Sequence, residues 1–360
     1  MEALPPTQMA PADPTATWIK NFPPGYFALV MATGIVSLAW HFQGFPSIAK
    51  VLFWFNLPAY VLLWALTLIR FCKFRAAMID DLTSHARGAT FLTQIAATCV
   101  LGKQFVLLTT FPAVGKWLWL LALLLWLVLL YAFFTAMTVL EPKPKIEHGI
   151  NGAWLLVVVA TESLCTLGTM VAPSFVRSDL VLFLSLVAYV LGAMFYIILI
   201  TLILYRWFFR SMEANVLTPP YWINMGALAI TTLAGGRLLT PSPAAFILEP
   251  FKPFVTGFTI FFWATATWWI PLLIIVGIWR HGFQKLPLTY DPQYWSLVFP
   301  LGMYSVATFV FAEVLKLPFL HVIPLVFAIA ALVAWAITFV GLIRQIGAFV
   351  NANRRSGSAC

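Results

Sequence analysis

Few residues in this chain could do chemistry inside an apolar run, and they can be named singly. Glu162 stands in ATES, residues 160–163, near the middle of a long apolar segment. A carboxyl group there is costly in hydrocarbon and faces a cavity or a partner. Two readings stay open: a proton-carrying site for symport with a dianion, or a protonated or paired group that holds two helices together. Lys103 and Arg237 lie within or at the end of apolar runs. They form a candidate vestibule that concentrates anions at a pore mouth, or they snorkel to the headgroups. Thr33, Thr98 and Thr161 recur at matching positions. As a ring they offer hydroxyls to a solute, although a membrane threonine often bonds its own i−4 carbonyl.

WSLVFPLGMYSVAT, residues 295–308, carries a further candidate. Pro300 lies inside an apolar run, removes a backbone hydrogen bond and crowds the carbonyl four residues back. Gly302 follows with no side chain to shield the freed backbone. Such a break persists in a membrane only beside protein or a water-filled cavity. The segment reads as a spanning helix bent at mid-depth, with the Phe299 ring at the bend.

Other chemistries find no support. Cys72, Cys99, Cys165 and Cys360 show no CxxC spacing and imply neither a disulfide framework nor a metal site. There is no HExxH and no histidine cluster. A membrane-embedded enzyme is the remote alternative, and no cofactor is expected.

The elements that position these residues follow from composition. The 360 residues are 62% hydrophobic and 9% charged, against about 25% charged in soluble domains. This is an integral membrane protein. Its +9 net charge is scattered among loops, which reads as topology rather than a nucleic-acid surface. A span needs about 20 mostly apolar residues, and ten are expected: 22–41, 47–72, 86–109, 114–139, 149–172, 179–206, 221–240, 253–279, 292–316 and 318–344. Residues 1–20, rich in Pro, Ala and Thr, read as a disordered cytoplasmic tail. Residues 21–346 form the ten-helix transmembrane domain and 347–360 a second cytoplasmic tail. The tails and the loops after even-numbered spans hold 14 Lys and Arg, and the loops after odd-numbered spans hold 5. By the positive-inside rule both termini face the cytoplasm.

Odd-numbered spans repeat a pattern of an aromatic followed by small residues six to seven positions on. The aromatics are Tyr26, Phe91, Trp154, Trp222 and Trp295, spaced by 65, 63, 68 and 73 residues, the length of one helical hairpin. Even-numbered spans are longer and more uniformly apolar. Five hairpins with small, polar inner helices suggest a quasi-fivefold ring around a central pore, in an all-α membrane fold.

Three stretches carry a family resemblance: FPPGYFALVMATGIVSLA (22–39), INMGALAITTLAG (223–235) and YWSLVFPLGMYSVAT (294–308). They resemble the tellurite-resistance/C4-dicarboxylate transporter family, which includes yeast malate permeases, sulfite efflux pumps and plant slow anion channels. The resemblance covers almost all of residues 22–345. It implies transport of small anions through a pore in each subunit of a homotrimer in the inner (plasma) membrane, in contact with lipid. The anions are C4-dicarboxylates such as malate, or tellurite or sulfite; an uncoupled chloride or nitrate channel is the alternative. It also implies odd-numbered helices lining the pore and a pore gate at Phe299 with Pro300; the residues' own pattern offers Thr33, Gly34, Thr98, Thr161, Glu162 and Gly302 as candidate lining. One departure is visible. Family members carry interior prolines in several inner helices, whereas among the inner spans here only the ninth does, so a less constricted or differently shaped pore is expected.

Overall fold

The computed structural model describes residues 14–241 and 245–357. Among them the secondary structure is entirely helical. The α-helices are α1 (Pro14–Lys20), α2 (Ala28–Phe42), α3 (Pro46–Lys73), α4 (Arg75–Leu82), α5 (Thr93–Leu108), α6 (Ala113–Val139), α7 (Ile146–Gly149), α8 (Leu156–Val171), α9 (Ser178–Phe209), α10 (Ile223–Leu239), α11 (Lys252–Ile278), α12 (Trp295–Leu315) and α13 (Val322–Gly357). Nine helical stretches among the described residues are long and apolar enough to cross a membrane. This is a multi-pass membrane protein.

All ten expected spans are helical, but α10 is not among the nine. Its 17 residues include Asn224, two threonines, Gly235, Gly236 and Arg237, which lower its hydropathy. Neighbours compensate: all but two of its residues are buried. A helix shielded from lipid by protein does not need a lipid-like sequence.

The chain sorts its helices by burial. α2, α5, α8, α10 and α12 are buried on nearly every face, whereas α3, α6, α9, α11 and α13 present wide apolar surfaces outward. The inner five contact one another in a closed circuit. α2 packs on α5, α5 on α8, α8 on α10, α10 on α12, and α12 returns to α2. Each outer helix packs on the inner helix that precedes it in the chain. Small residues allow the close approaches within this circuit. A Cβ added at Gly226 of α10 would come within 2.7 Å of Pro300 Cγ in α12.

Every inner helix is preceded by a short 3₁₀ turn: Pro24–Phe27, Gly88–Leu92, Gly152–Leu155, Pro219–Trp222 and Pro292–Tyr294. Proline at the start of three of them fits, since a missing N–H costs nothing there. The repeated aromatics of the sequence lie in these turns or directly after them. The five turns also contact one another in the order of the helices they lead into, and the circuit closes. All five inner helices therefore begin at the same end of the bundle.

Two stretches expected to lie in the tails are helical. Residues 14–20, read as part of a disordered tail, form α1, and the Lys20 carbonyl accepts from Arg70 Nε at 3.0 Å. The stretch 347–357, read as a tail beyond the last span, continues α13. Residues 1–13 and 358–360 lie outside the described residues.

Candidate functional site

The converging 3₁₀ turns surround a cavity of about 560 Å³. All five contribute to its wall, among them Gly25, Thr90, Ala153, Pro220 and Pro292. Ser296, in the first turn of α12, also lines it. This cavity is the mouth of the bundle.

Helical geometry then places Phe299. Successive residues turn by about 100°. The outer face of α12 is fixed by three bonds: Tyr304 to Thr267 and Thr308 to Trp263, both on α11, and Ser305 to the Pro324 carbonyl on α13. Pro300 meets Gly226 of α10, and Gly302 meets Ile35 of α2. Phe299 falls between those last two contacts, opposite the outer face and one turn deeper than Ser296. It is 2% exposed, and among the described residues no aromatic ring stacks on it.

Pro300, expected at mid-depth, stands near the start of α12. It lies five residues after the start of α12, about 7 Å along the axis. The carbonyl that its ring leaves without an amide donor belongs to Ser296, which stands in the mouth cavity. The break sits where water can reach it.

Lys103 and Arg237 also turn inward. Lys103 is about 140° round α5 from Thr98, whose hydroxyl meets the outer helix α3. Its Nζ donates to Thr166 Oγ1 of α8 at 3.1 Å, and it is 3% exposed. Gly235 of α10 abuts Thr259 of α11, and Arg237 is about 200° further round, on the inner face. Its guanidinium lies 5.7 Å from the centre of the Phe42 ring on α2, two helices away in the circuit. Among the described residues neither cation pairs with a carboxylate. Both lie in the half of the bundle remote from the mouth.

The other expected lining residues face elsewhere. Thr33 accepts from Trp335 Nε1 on α13, Thr161 accepts from Trp126 Nε1 on α6, and Thr98 shares a hydrogen bond with Tyr60 on α3. Thr98 and Thr161 also donate to their i−4 carbonyls. These hydroxyls bind outer helices and form no ring around the axis. Gly34 is a close approach, since a Cβ there would come within 2.4 Å of Val100 on α5. Gly302 serves the same purpose against Ile35.

Glu162 is fully buried, and its carboxyl is pressed against α9: a Cβ on Gly192 would lie 2.4 Å from Oε1. The Thr231 hydroxyl beside it donates to the Ala227 carbonyl at 2.9 Å. Neither carboxyl oxygen has a hydrogen-bond partner among the described residues. The group lies in the seam of α8, α9 and α10, away from the axis.

The mouth contains residues that sequence reasoning passed over. Arg206 and Tyr221 bond each other at 2.8 Å, and Asn151 caps the turn before α8 by accepting from Ala153 N. The Pro- and Gly-led start of each turn was the available signal. His85, at the edge of the third span, lies against the Trp154 ring. Burial, with Lys143 nearby, lowers its pKa.

Fold and site together define a multi-pass membrane protein whose buried inner helices carry unpaired cations. Residues 21–343 match the family described as voltage-dependent anion channel, and the chain belongs to that family. It is similar to an uncharacterized membrane protein of Mycobacterium tuberculosis, 36% identical over 164 residues, which covers 46% of this chain and 83% of that one. A sulfite efflux pump of Arthroderma benhamiae is 25% identical over 353 residues, 89% of this chain and 90% of the pump. A malic acid transport protein of Schizosaccharomyces pombe is 22% identical over 317 residues, covering 81% and 70% respectively.

Proposed function

We propose that this protein carries small anions across the inner (plasma) membrane along the axis enclosed by α2, α5, α8, α10 and α12. Ten helices act as five hairpins in a quasi-fivefold ring, with both termini on the cytoplasmic side and one path per subunit of a homotrimer. The Phe299 ring blocks the path below the mouth, and Pro300 gives the local backbone freedom that lets it move.

One observation carries the reading. The charged side chains turned towards the axis within the bundle, Lys103 and Arg237, are both cations, while the mid-span carboxyl of Glu162 is turned into a helix seam. Cations in a low-dielectric passage stabilise an anion there and repel a cation. Membership of an anion-channel family and similarity to a sulfite pump and a malic acid transporter agree with it. None of these names is that of an enzyme.

A second observation bears on coupling. With Glu162 off the axis, no carboxyl among the described residues faces the axis beyond the mouth, where it could hand a proton to a passing dianion. An uncoupled path is favoured over proton symport. Flux of malate, sulfite and chloride into proteoliposomes, with and without a pH gradient, tests both points. Anion flux that ignores the gradient is expected; absence of any anion flux would refute the reading.

A further inference from the structure

We infer that Arg206 anchors an oxyanion-binding site in the mouth cavity, where a small anion stands before it reaches Phe299. This rests on the reading above that anions travel along the axis.

Arg206 lies in the last turn of α9, is 4% exposed and lines the cavity. Its Nη1 donates to the Ile150 carbonyl and, at 2.8 Å, to the Tyr221 hydroxyl. Its Nε has no partner, and among the described residues no carboxylate pairs with it. A second arginine makes the contrast. Arg70 lies in the last turn of another outer helix, α3, and is also 4% exposed. It holds Asp81 at 2.5 Å. One of these two buried guanidiniums holds a carboxylate and the other does not.

Of the other charges on the cavity wall, Glu147 pairs with Arg210 at 3.2 Å, and Arg87, 2.9 Å from Asp81, shares that one carboxylate with Arg70. Arg206 is the guanidinium on that wall that touches no carboxylate among the described residues. An unpaired buried charge is strongly unfavourable, and an anion in the cavity would relieve it. The Thr218 and Ser296 hydroxyls line the same space and are free to donate. The planar guanidinium fork fits two oxygens of one acceptor group better than a spherical ion. The ligand class is accordingly a carboxylate or a sulfur oxyanion rather than a halide.

The test uses the purified full chain. Thermal unfolding is followed with sodium malate, sodium sulfite or sodium chloride at matched ionic strength, and malate flux is measured in proteoliposomes. Malate and sulfite are expected to raise the melting temperature more than chloride does. Arg206→Gln should abolish the oxyanion-specific rise and increase the half-saturating malate concentration at least tenfold. Arg206→Lys keeps the charge without the fork, so it should respond to the three salts alike. Tyr221→Phe removes one bond from Nη1 but leaves the charge, and should keep the oxyanion response. If Arg206→Gln does not fold, the Arg206→Lys comparison decides. An oxyanion preference in Arg206→Lys equal to that of the unaltered protein would overturn the site and leave Arg206 as a staple between turns. Absence of flux in the unaltered protein would instead strike the transport reading, and the melting response would still report on the site.

Discussion

The indole N–H of Trp335 donates to the Thr33 hydroxyl at 2.9 Å, joining α13 to α2 and so the end of the bundle to its beginning. Equivalent bonds run from Trp126 to Thr161 and between Tyr60 and Thr98. The repeated threonines fasten inner helices to outer ones. Thr33→Val should leave a largely buried indole unsatisfied and cost about 1–3 kcal/mol, read as a lower melting temperature in detergent. Cysteine placed at 33, 98 or 161 in a background without native cysteines should not react with a water-soluble thiol reagent. Rapid labelling at all three would return these positions to the pore wall.

Phe299→Ala should open a constitutive anion leak. The ring is buried on the inner face of α12, just below the mouth cavity. Were it only a core residue, truncation would cost roughly 3–5 kcal/mol of stability and open nothing. Proteoliposome current separates the cases. Poor expression with no rise in anion current favours packing.

Lys103→Met and Arg237→Met should each lower anion flux and weaken the preference for anions over cations. Both side chains face the axis without a carboxylate partner. Reversal potentials under an anion gradient measure the preference, and an unchanged reversal potential in the double variant would remove these residues from selectivity.

Glu162→Gln should leave flux and its response to a pH gradient intact, because the carboxyl packs against Gly192 rather than the axis. Gly192→Ala should cost more stability: its new methyl would fall 2.4 Å from Oε1, so the Glu162 side chain must shift. Loss of pH-driven uptake in Glu162→Gln would restore the carboxyl to a coupling role.

Asp81→Asn should destabilise the mouth end of the bundle. Asp81 is 4% exposed and holds both Arg70 and Arg87. Removing one partner of a buried ion pair typically costs about 3–5 kcal/mol, so a marked fall in melting temperature is expected. An unchanged melting temperature would show that water screens the cluster.

The helices and their repeat were legible in the sequence because hydropathy and a recurring aromatic survive in one dimension. The facing of side chains was not. A helix such as α12 is surrounded by other helices, so apolar residues occupy every side of it and no amphipathic stripe marks inside from outside. Thr161 and Glu162 are adjacent in sequence and bind different neighbours, α6 and α9. Nothing in the letters ATES distinguishes those directions from the axis. Arg206 was hidden differently. It was counted as one of many loop cations that set topology, and only the contrast with Arg70 reveals that it lacks a counter-charge.

The five inner helices all start at the mouth, and this has an electrical consequence. The five outer helices run the other way and offset part of the field, but the inner five point the same way and stand nearest the axis, where their macrodipoles add. Each contributes about half a positive charge at its beginning and half a negative charge at its end. An anion arriving at the mouth is drawn in, and the same field would oppose its exit past the carbonyl ends. Lys103 and Arg237 stand in that far half. They flatten the slope that the backbone alone would impose, so neutralising them should make anion flux easier in one direction than in the other.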